Sequence, residues 1–303
     1  MADSAEHDGI RKVIEREMFR LRSTYGPEAL PVPSSLALEA LRIGALRGRV
    51  VLVTGGSKGL GREFAVRAAG EGGARVVIGA RGESGVREVV EEIRAKGGEA
   101  TGLATDVTSW ESQVALFDRA VETYGQIDVV VANAGVFEMG TFLDDEVDAD
   151  GKLTKPDFST IDINVRGTLY TSRLAFHHLR KNASTGTKAL VILGSLTSFV
   201  ATPGCPLYAT SQHALLGLQR ALHTESEASG ISVTFVASGP VPTDIFGALR
   251  PMIEQLPHIK LSDTVDAMLF AASSPSGEKL GGCTLATDTA GIFRLPFVQA
   301  YRT

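Results

Sequence analysis

Val50-Val51-Leu52-Val53-Thr54-Gly55-Gly56-Ser57-Lys58-Gly59-Leu60-Gly61 is the stretch from which the fold is read. Residues 50–53 are a short apolar run of the buried-strand kind, and a glycine cluster follows at once. Residues 64–69 belong to a helix behind it. Such a turn lets backbone approach a pyrophosphate and aims a helix N-terminus at it. A glycine cluster alone is a weak sign, because glycines also serve close helix packing. Its setting between a strand and a helix, with a complete βαβ unit behind it, gives it weight.

The same alternation continues outward. Strands are expected at 75–80, 100–104, 127–131, 189–193 and 232–236, with a closing strand at 284–286. Helices are expected at 86–95, 110–124, 158–179, 208–228 and 262–272. This order predicts an α/β protein, a doubly wound parallel sheet (Rossmann fold) with helices on both faces. Residues 47–303 are expected to make one dinucleotide-binding domain, which would also hold the catalytic residues considered below. Residues 1–46 are expected as an N-terminal helical extension, with Ile10, Val13, Ile14, Met18 and Leu21 at helical spacing over 8–22. An acidic insertion over 144–157 follows the fourth strand. Its carboxylates sit near calcium-loop spacing, but Glu146 stands first, Asp157 last and Pro156 just before it, so a solvated turn is the better reading.

Composition excludes several classes. A net charge of -5 gives no reason to expect nucleic-acid binding. Two cysteines cannot build a disulfide framework. No apolar run is long enough to span a bilayer, and the first residues include Asp3, Glu6 and Asp8 rather than a signal peptide's basic and then apolar start. A soluble cytoplasmic protein is expected. No His, Cys or carboxylate spacing fits a metal site.

The chemistry lies further on. Ser195 precedes Tyr208 by thirteen residues, and Gln212 follows Tyr208 by four, on the same helix face. With the glycine turn, this resembles the short-chain dehydrogenase/reductase family (classical type), which carries Ser and then Tyr-x-x-x-Lys at these spacings. The match covers roughly residues 47–290, with its motifs in order. Gln212 stands where that family has lysine.

The resemblance implies a nicotinamide coenzyme held by Gly55, Ser57, Lys58, Gly59, Leu60 and Gly61. It also implies contacts from Asp106 and Val107 after the third strand, with Asp106 at the adenine. Asn133 and Gly135 after the fourth would lie beside the adenosine ribose. Ser238-Gly-Pro-Val-Pro-Thr243 matches the family's Pro-Gly-Pro-Val-x-Thr except at Ser238, so Gly239, Val241 and Thr243 join the site, Thr243 near the nicotinamide. At the end of the second strand an acidic residue would bind a ribose 2′-hydroxyl. Here Ala80 and Arg81 stand there, with Lys58 nearby, which favours the 2′-phosphate of NADP(H).

By the same resemblance Tyr208 protonates the developing alkoxide, Ser195 hydrogen-bonds the carbonyl oxygen, and Asn164 positions a water linked to the lysine. The family lysine binds the nicotinamide ribose and stabilises the tyrosinate. Gln212 has the reach and donors for the first task. It carries no charge for the second, and a unit charge about 4 Å away is worth roughly 4 kcal/mol at an effective dielectric near 20. Losing half of that costs roughly tenfold or more in rate. Oxidation, which needs ionised Tyr208, suffers most, while reduction starts from the neutral phenol.

Three readings follow: an NADP(H)-dependent carbonyl reductase with an Asn-Ser-Tyr-Gln tetrad; a non-redox dehydratase, isomerase or cyclase in small-molecule biosynthesis; or a catalytically silent nucleotide-binding protein. The pocket is expected from 137–142, 196–207 and 243–260, including Phe199, Cys205, Phe246, Leu249 and Met252. That lining suits a neutral hydrophobic small molecule. The proline-rich segment 243–260 is expected to act as a lid. A homodimer or homotetramer is the family's usual assembly.

Overall fold

The computed structural model describes residues 30–32, 43–138, 142, 145–200, 202, 204–274, 282–289 and 291–295. The amphipathic helix expected over 8–22 lies outside them. Among the described residues nine strands form one sheet: β1 (Leu30–Val32), β2 (Val50–Thr54), β3 (Arg75–Ala80), β4 (Glu99–Ala104), β5 (Val129–Ala132), β6 (Ala189–Ser195), β7 (Ser232–Ser238), β8 (Thr284–Asp288) and β9 (Gly291–Leu295). The helices are α1 (Gly59–Gly70), α2 (Glu83–Ala95), α3 (Trp110–Tyr124), the short α4 (Ser159–Ile161), α5 (Gly167–Lys181), α6 (Pro206–Glu227), the short α7 (Arg250–Gln255) and α8 (Leu261–Ser273).

The strand order is β1-β9-β8-β7-β6-β5-β2-β3-β4. Strands β2 through β8 run parallel, and β9 and β1 close one edge antiparallel. From β2 the chain winds outward through β3 and β4, then returns to β5 and winds the other way. The sheet therefore reverses between β2 and β5, which is where such folds open a crevice at the carboxyl ends of their strands.

Strand periodicity explains how one sheet fills two cores. Val51, Val53, Val76, Ile78, Val129, Val131 and Val191 face one side, against Phe64 and Ala68 of α1, Val89 and Ile93 of α2 and Met268 of α8. Their neighbours Val50, Leu52, Val77, Val130, Leu190 and Ile192 face the other, against Phe117 of α3, Leu179 of α5 and Leu216 of α6. Because both faces are covered, the central strands are apolar at nearly every position instead of alternating. Gly79 leaves room for this packing, since a Cβ there would lie 2.4 Å from Leu116 Cδ2.

Helix ends follow local chemistry. Ser109 caps α3 by accepting from the Ser112 amide at 3.1 Å, and Gly125 (φ 84°) ends it in the left-handed region. Pro206 opens α6, where its missing N–H costs nothing.

Two expectations are corrected. The strand expected to close the sheet at 284–286 is followed by β9, and β1, from the N-terminal extension beyond the helix expected over 8–22, adds a further edge strand. Short edge strands carry little apolar periodicity, so the sequence gives them weak signals. The helix expected over 158–179 is also not regular, because Asp162–Arg166 forms a π-helical turn between α4 and α5. Such a turn adds a residue to the helix and rotates the following face, as often happens at functional sites. In the acidic insertion, Asp148 Oδ1 accepts from the amides of Asp150 (2.9 Å) and Lys152 (3.0 Å), and Val147 pairs with Leu153 in an isolated bridge. Among the described residues no helix is long and apolar enough to cross a membrane.

Candidate active site

The glycine turn sits at the carboxyl end of β2 and is tied to the end of β5. Asn133 Nδ2 donates to the carbonyls of Thr54 (2.9 Å) and Gly55 (3.1 Å), while the amides of Asn133 and Ala134 donate to Thr54 Oγ1 at 3.2 and 3.3 Å. The side chain of Asn133 thus holds the turn. The approach is close. A Cβ on Gly61 would lie 2.4 Å from Asn133 Nδ2 and 2.5 Å from the Gly55 oxygen, and Gly55 has φ +69°. Gly59 (φ +53°) faces Thr243, which a Cβ on Gly59 would meet at 3.5 Å.

The other expected cofactor residues lie in this turn or after the carboxyl ends of β3, β4, β5 and β7. Lys58 is the exposed N-cap of α1, and Leu60 packs partly buried against the core. Ser57 lies under Gly85 near the start of α2. Arg81 is exposed just past β3, and among the described residues neither it nor Lys58 has an ion-pair partner. Asp106 is exposed after β4, its Oδ1 accepting from the amide (2.9 Å) and hydroxyl (2.8 Å) of Thr108. Val107 is buried beneath it against Gly167. Gly135 abuts Asn164. Gly239 donates its amide to the Thr287 oxygen at 3.0 Å, and Val241 is buried. A turn where a Cβ on Gly55 or Gly61 would clash, with exposed Lys58 and Arg81 close to it in the chain order of β2 and β3, fits the pyrophosphate of a dinucleotide.

Ser195 ends β6 and Tyr208 lies in the first turn of α6, so two elements bring their hydroxyls together. The Ser195 hydroxyl accepts from the Thr197 amide and donates to Thr197 Oγ1, both at 3.2 Å. Burial pushes the Tyr208 phenol up to about 12, and the neighbouring Ser195 hydroxyl pulls the other way. The Phe137 ring lies 4.8 Å from the Tyr208 ring and 5.3 Å from Phe246, so three aromatic rings run outward from the phenol.

Asn164, on the π-helical turn, is 1% exposed. Its Oδ1 accepts from the Val136 amide at 2.9 Å, and its Nδ2 donates to the Val136 oxygen (2.9 Å) and to Ser211 Oγ (3.0 Å). Gln212 is also buried. Its Nε2 donates to Ser211 Oγ at 3.3 Å, its backbone oxygen accepts from Ser198 Oγ at 2.9 Å, and its Oε1 has no hydrogen-bond partner. Asn164 therefore connects to Gln212 through Ser211, a residue that sequence reasoning passed over. His213 is exposed with Nδ1 2.9 Å from the Ala209 oxygen, turned away from Gln212.

Sequence reasoning also missed Glu138. Its Oε2 accepts from the Tyr208 amide at 3.0 Å, at the N-terminus of α6. Nothing in the sequence links it to position 208, because the contact spans a strand, the insertion and two helices. Of the expected pocket residues, Cys205 is buried before α6 with its thiol pushed up to about 11, first by burial and then by Glu138. Phe199 packs against the core, and Leu249 is exposed. Gly247 (φ 50°, ψ -124°) kinks the segment after Thr243.

Comparison with known proteins agrees with this fold. A family model described as short chain dehydrogenase matches residues 49–254. An elsinochrome reductase of Elsinoe fawcettii is 33% identical over 215 residues, 70% of this chain and 76% of that protein. A trihydroxynaphthalene reductase of Pestalotiopsis fici is 31% identical over 225 residues, 73% of each chain. A crystal structure described as a short-chain alcohol dehydrogenase of Sinorhizobium meliloti 1021 superposes with a TM-score of 0.69 at 30% identity, covering 82% of this chain and 98% of that one.

Proposed function

We propose that this chain, which belongs to the short-chain dehydrogenase/reductase family, is an NADP(H)-dependent reductase of a hydrophobic aromatic ketone. The observation that carries the reading is the placing of Ser195, at the end of β6, next to the Tyr208 phenol, together with a glycine turn at the strand-order reversal. The reductase names of the curated relatives support it over the non-redox and silent alternatives.

In this reading the coenzyme supplies the hydride. The chain's own work is to hold the carbonyl oxygen between Ser195 Oγ and Tyr208 Oη and to deliver the phenolic proton as negative charge develops there. A phenol held neutral by burial starts in the protonation state that reduction requires. The run Tyr208–Phe137–Phe246 offers ring faces to a planar substrate, and hydroxylated fused aromatics such as trihydroxynaphthalene, named for one relative, are of that shape. Arg81 and Lys58 favour the 2′-phosphate. A homodimer or homotetramer in the cytoplasm is the accompanying expectation.

The test is oxidation of NADPH and of NADH by the purified protein with hydroxylated tetralones. NADPH should be preferred at least tenfold, and Arg81→Asp should remove that preference. Failure to bind either coenzyme overturns the reading.

A further inference from the structure

A chain of buried hydroxyls holds the first residue of the segment 239–243. Ser238 Oγ donates to the Gly239 oxygen at 2.8 Å. That spends its one hydrogen, so across the 3.1 Å contact with Thr264 Oγ1 it is Thr264 that donates. The hydrogen of Thr264 is spent in turn, and the 3.1 Å contact between Thr264 and Thr287 is therefore donated by Thr287. Direction runs one way, from β8 through α8 to the end of β7 and on to Gly239. The Gly239 amide closes the circuit by donating to the Thr287 oxygen at 3.0 Å. Ser238 is 7% exposed and both threonines are fully buried, so each hydroxyl depends on these partners and not on water.

We propose that Ser238, Thr264 and Thr287 are positioning residues for coenzyme binding: their circuit fixes both backbone polar groups of Gly239 and so sets residues 239–243 against the glycine turn. The next residue is pinned as well, because the Ile259 amide donates to the Pro240 oxygen at 2.8 Å. Gly239 has no slack, since a Cβ there would lie 2.5 Å from Ile259 Cδ1 and 3.1 Å from the Thr287 oxygen. At the other end of the segment, Thr243 meets the turn at Gly59. A proline at position 238, as in the family motif, carries no hydroxyl and could not end this chain. The circuit thus follows from this sequence's own departure at Ser238. It makes the placing of 239–243 depend on α8 and β8, which come later in the chain. The inference rests on the coenzyme reading above and adds to that site residues that touch no coenzyme themselves.

Calorimetry measures the NADPH dissociation constants of the wild type, Ser238→Ala, Thr264→Val, the double variant, Thr264→Ser and Ile127→Val, with thermal melts confirming that each is folded. Ile127→Val truncates a buried residue ahead of β5, at the opposite edge of the sheet, and reports what lost stability alone does to binding. Ser238→Ala and Thr264→Val should each weaken NADPH binding about fivefold, the scale of one lost hydrogen bond. The double variant should lose about the same fivefold and not the product of the two, because either change cuts the same chain. Thr264→Ser keeps the hydroxyl and should bind as the wild type does, as should Ile127→Val. Unchanged affinity in either single variant, losses that multiply in the double, a loss in Thr264→Ser, or an equal loss in Ile127→Val overturns the proposal while leaving the coenzyme reading intact. A wild type that binds no NADPH overturns both.

Discussion

The amide of Tyr208 donates a 3.0 Å hydrogen bond to Oε2 of Glu138, so a carboxylate from the loop after β5 caps the helix that carries the reactive phenol. The first amides of a helix have no partners of their own, and a negative charge at that end is favourable. The contact also fixes Phe137, the neighbour of Glu138, against the Tyr208 ring. Glu138→Ala should cost about 0.5–2 kcal/mol, as loss of a helix cap does. Glu138→Gln keeps an acceptor and should recover most of it. Thermal melts of the two variants check this, and equal melting temperatures would show that the carboxylate caps nothing.

The raised Tyr208 phenol fixes the sign of the pH dependence. Its proton is lost only as pH rises through about 12, so the neutral donor persists across the physiological range. Ketone reduction should not decline between pH 6 and 10 for want of that proton. Alcohol oxidation needs the tyrosinate, about one part in 10⁴ at pH 8. It should climb roughly tenfold per pH unit up to pH 10. Initial rates in both directions decide the matter, and a plateau in oxidation near neutrality would contradict the assigned ionisation.

Gln212→Lys places a cation on the helix face of Tyr208. It should lower the phenol's pKa and raise alcohol oxidation about tenfold or more, with a smaller gain in reduction. A chain whose chemistry has left redox catalysis would show no such gain. Steady-state kinetics in each direction separate the two.

Gly61→Ala brings a methyl to 2.4 Å from Asn133 Nδ2 and 2.5 Å from the Gly55 oxygen, so either the Asn133 bridge or the turn must move. The overpacking should cost about 1–3 kcal/mol and weaken NADPH binding. Calorimetric titration beside a thermal melt reads both effects. Unchanged affinity would mean that the turn does not form the coenzyme cradle.

Much of this protein was legible in its sequence because the signals are local. A buried parallel strand must be apolar at consecutive positions, and a glycine turn must follow it where backbone approaches closely, so β2, β3 and the helices between strands were placed within a few residues. Ser195, Tyr208 and Gln212 announced themselves by spacing, since helix geometry alone puts positions 208 and 212 on one face. Tertiary structure decided the rest. The edge strands β1 and β9 depend on pairing across the chain, and the π-helical turn that buries Asn164 leaves no pattern in composition. Glu138 and Ser211 gain their roles from partners brought near by folding. Above all, the orientation of the buried Gln212 carboxamide follows from hydrogen-bond directions passed through Val136, Asn164 and Ser211, and direction is a property of assembled contacts that no order of residues contains.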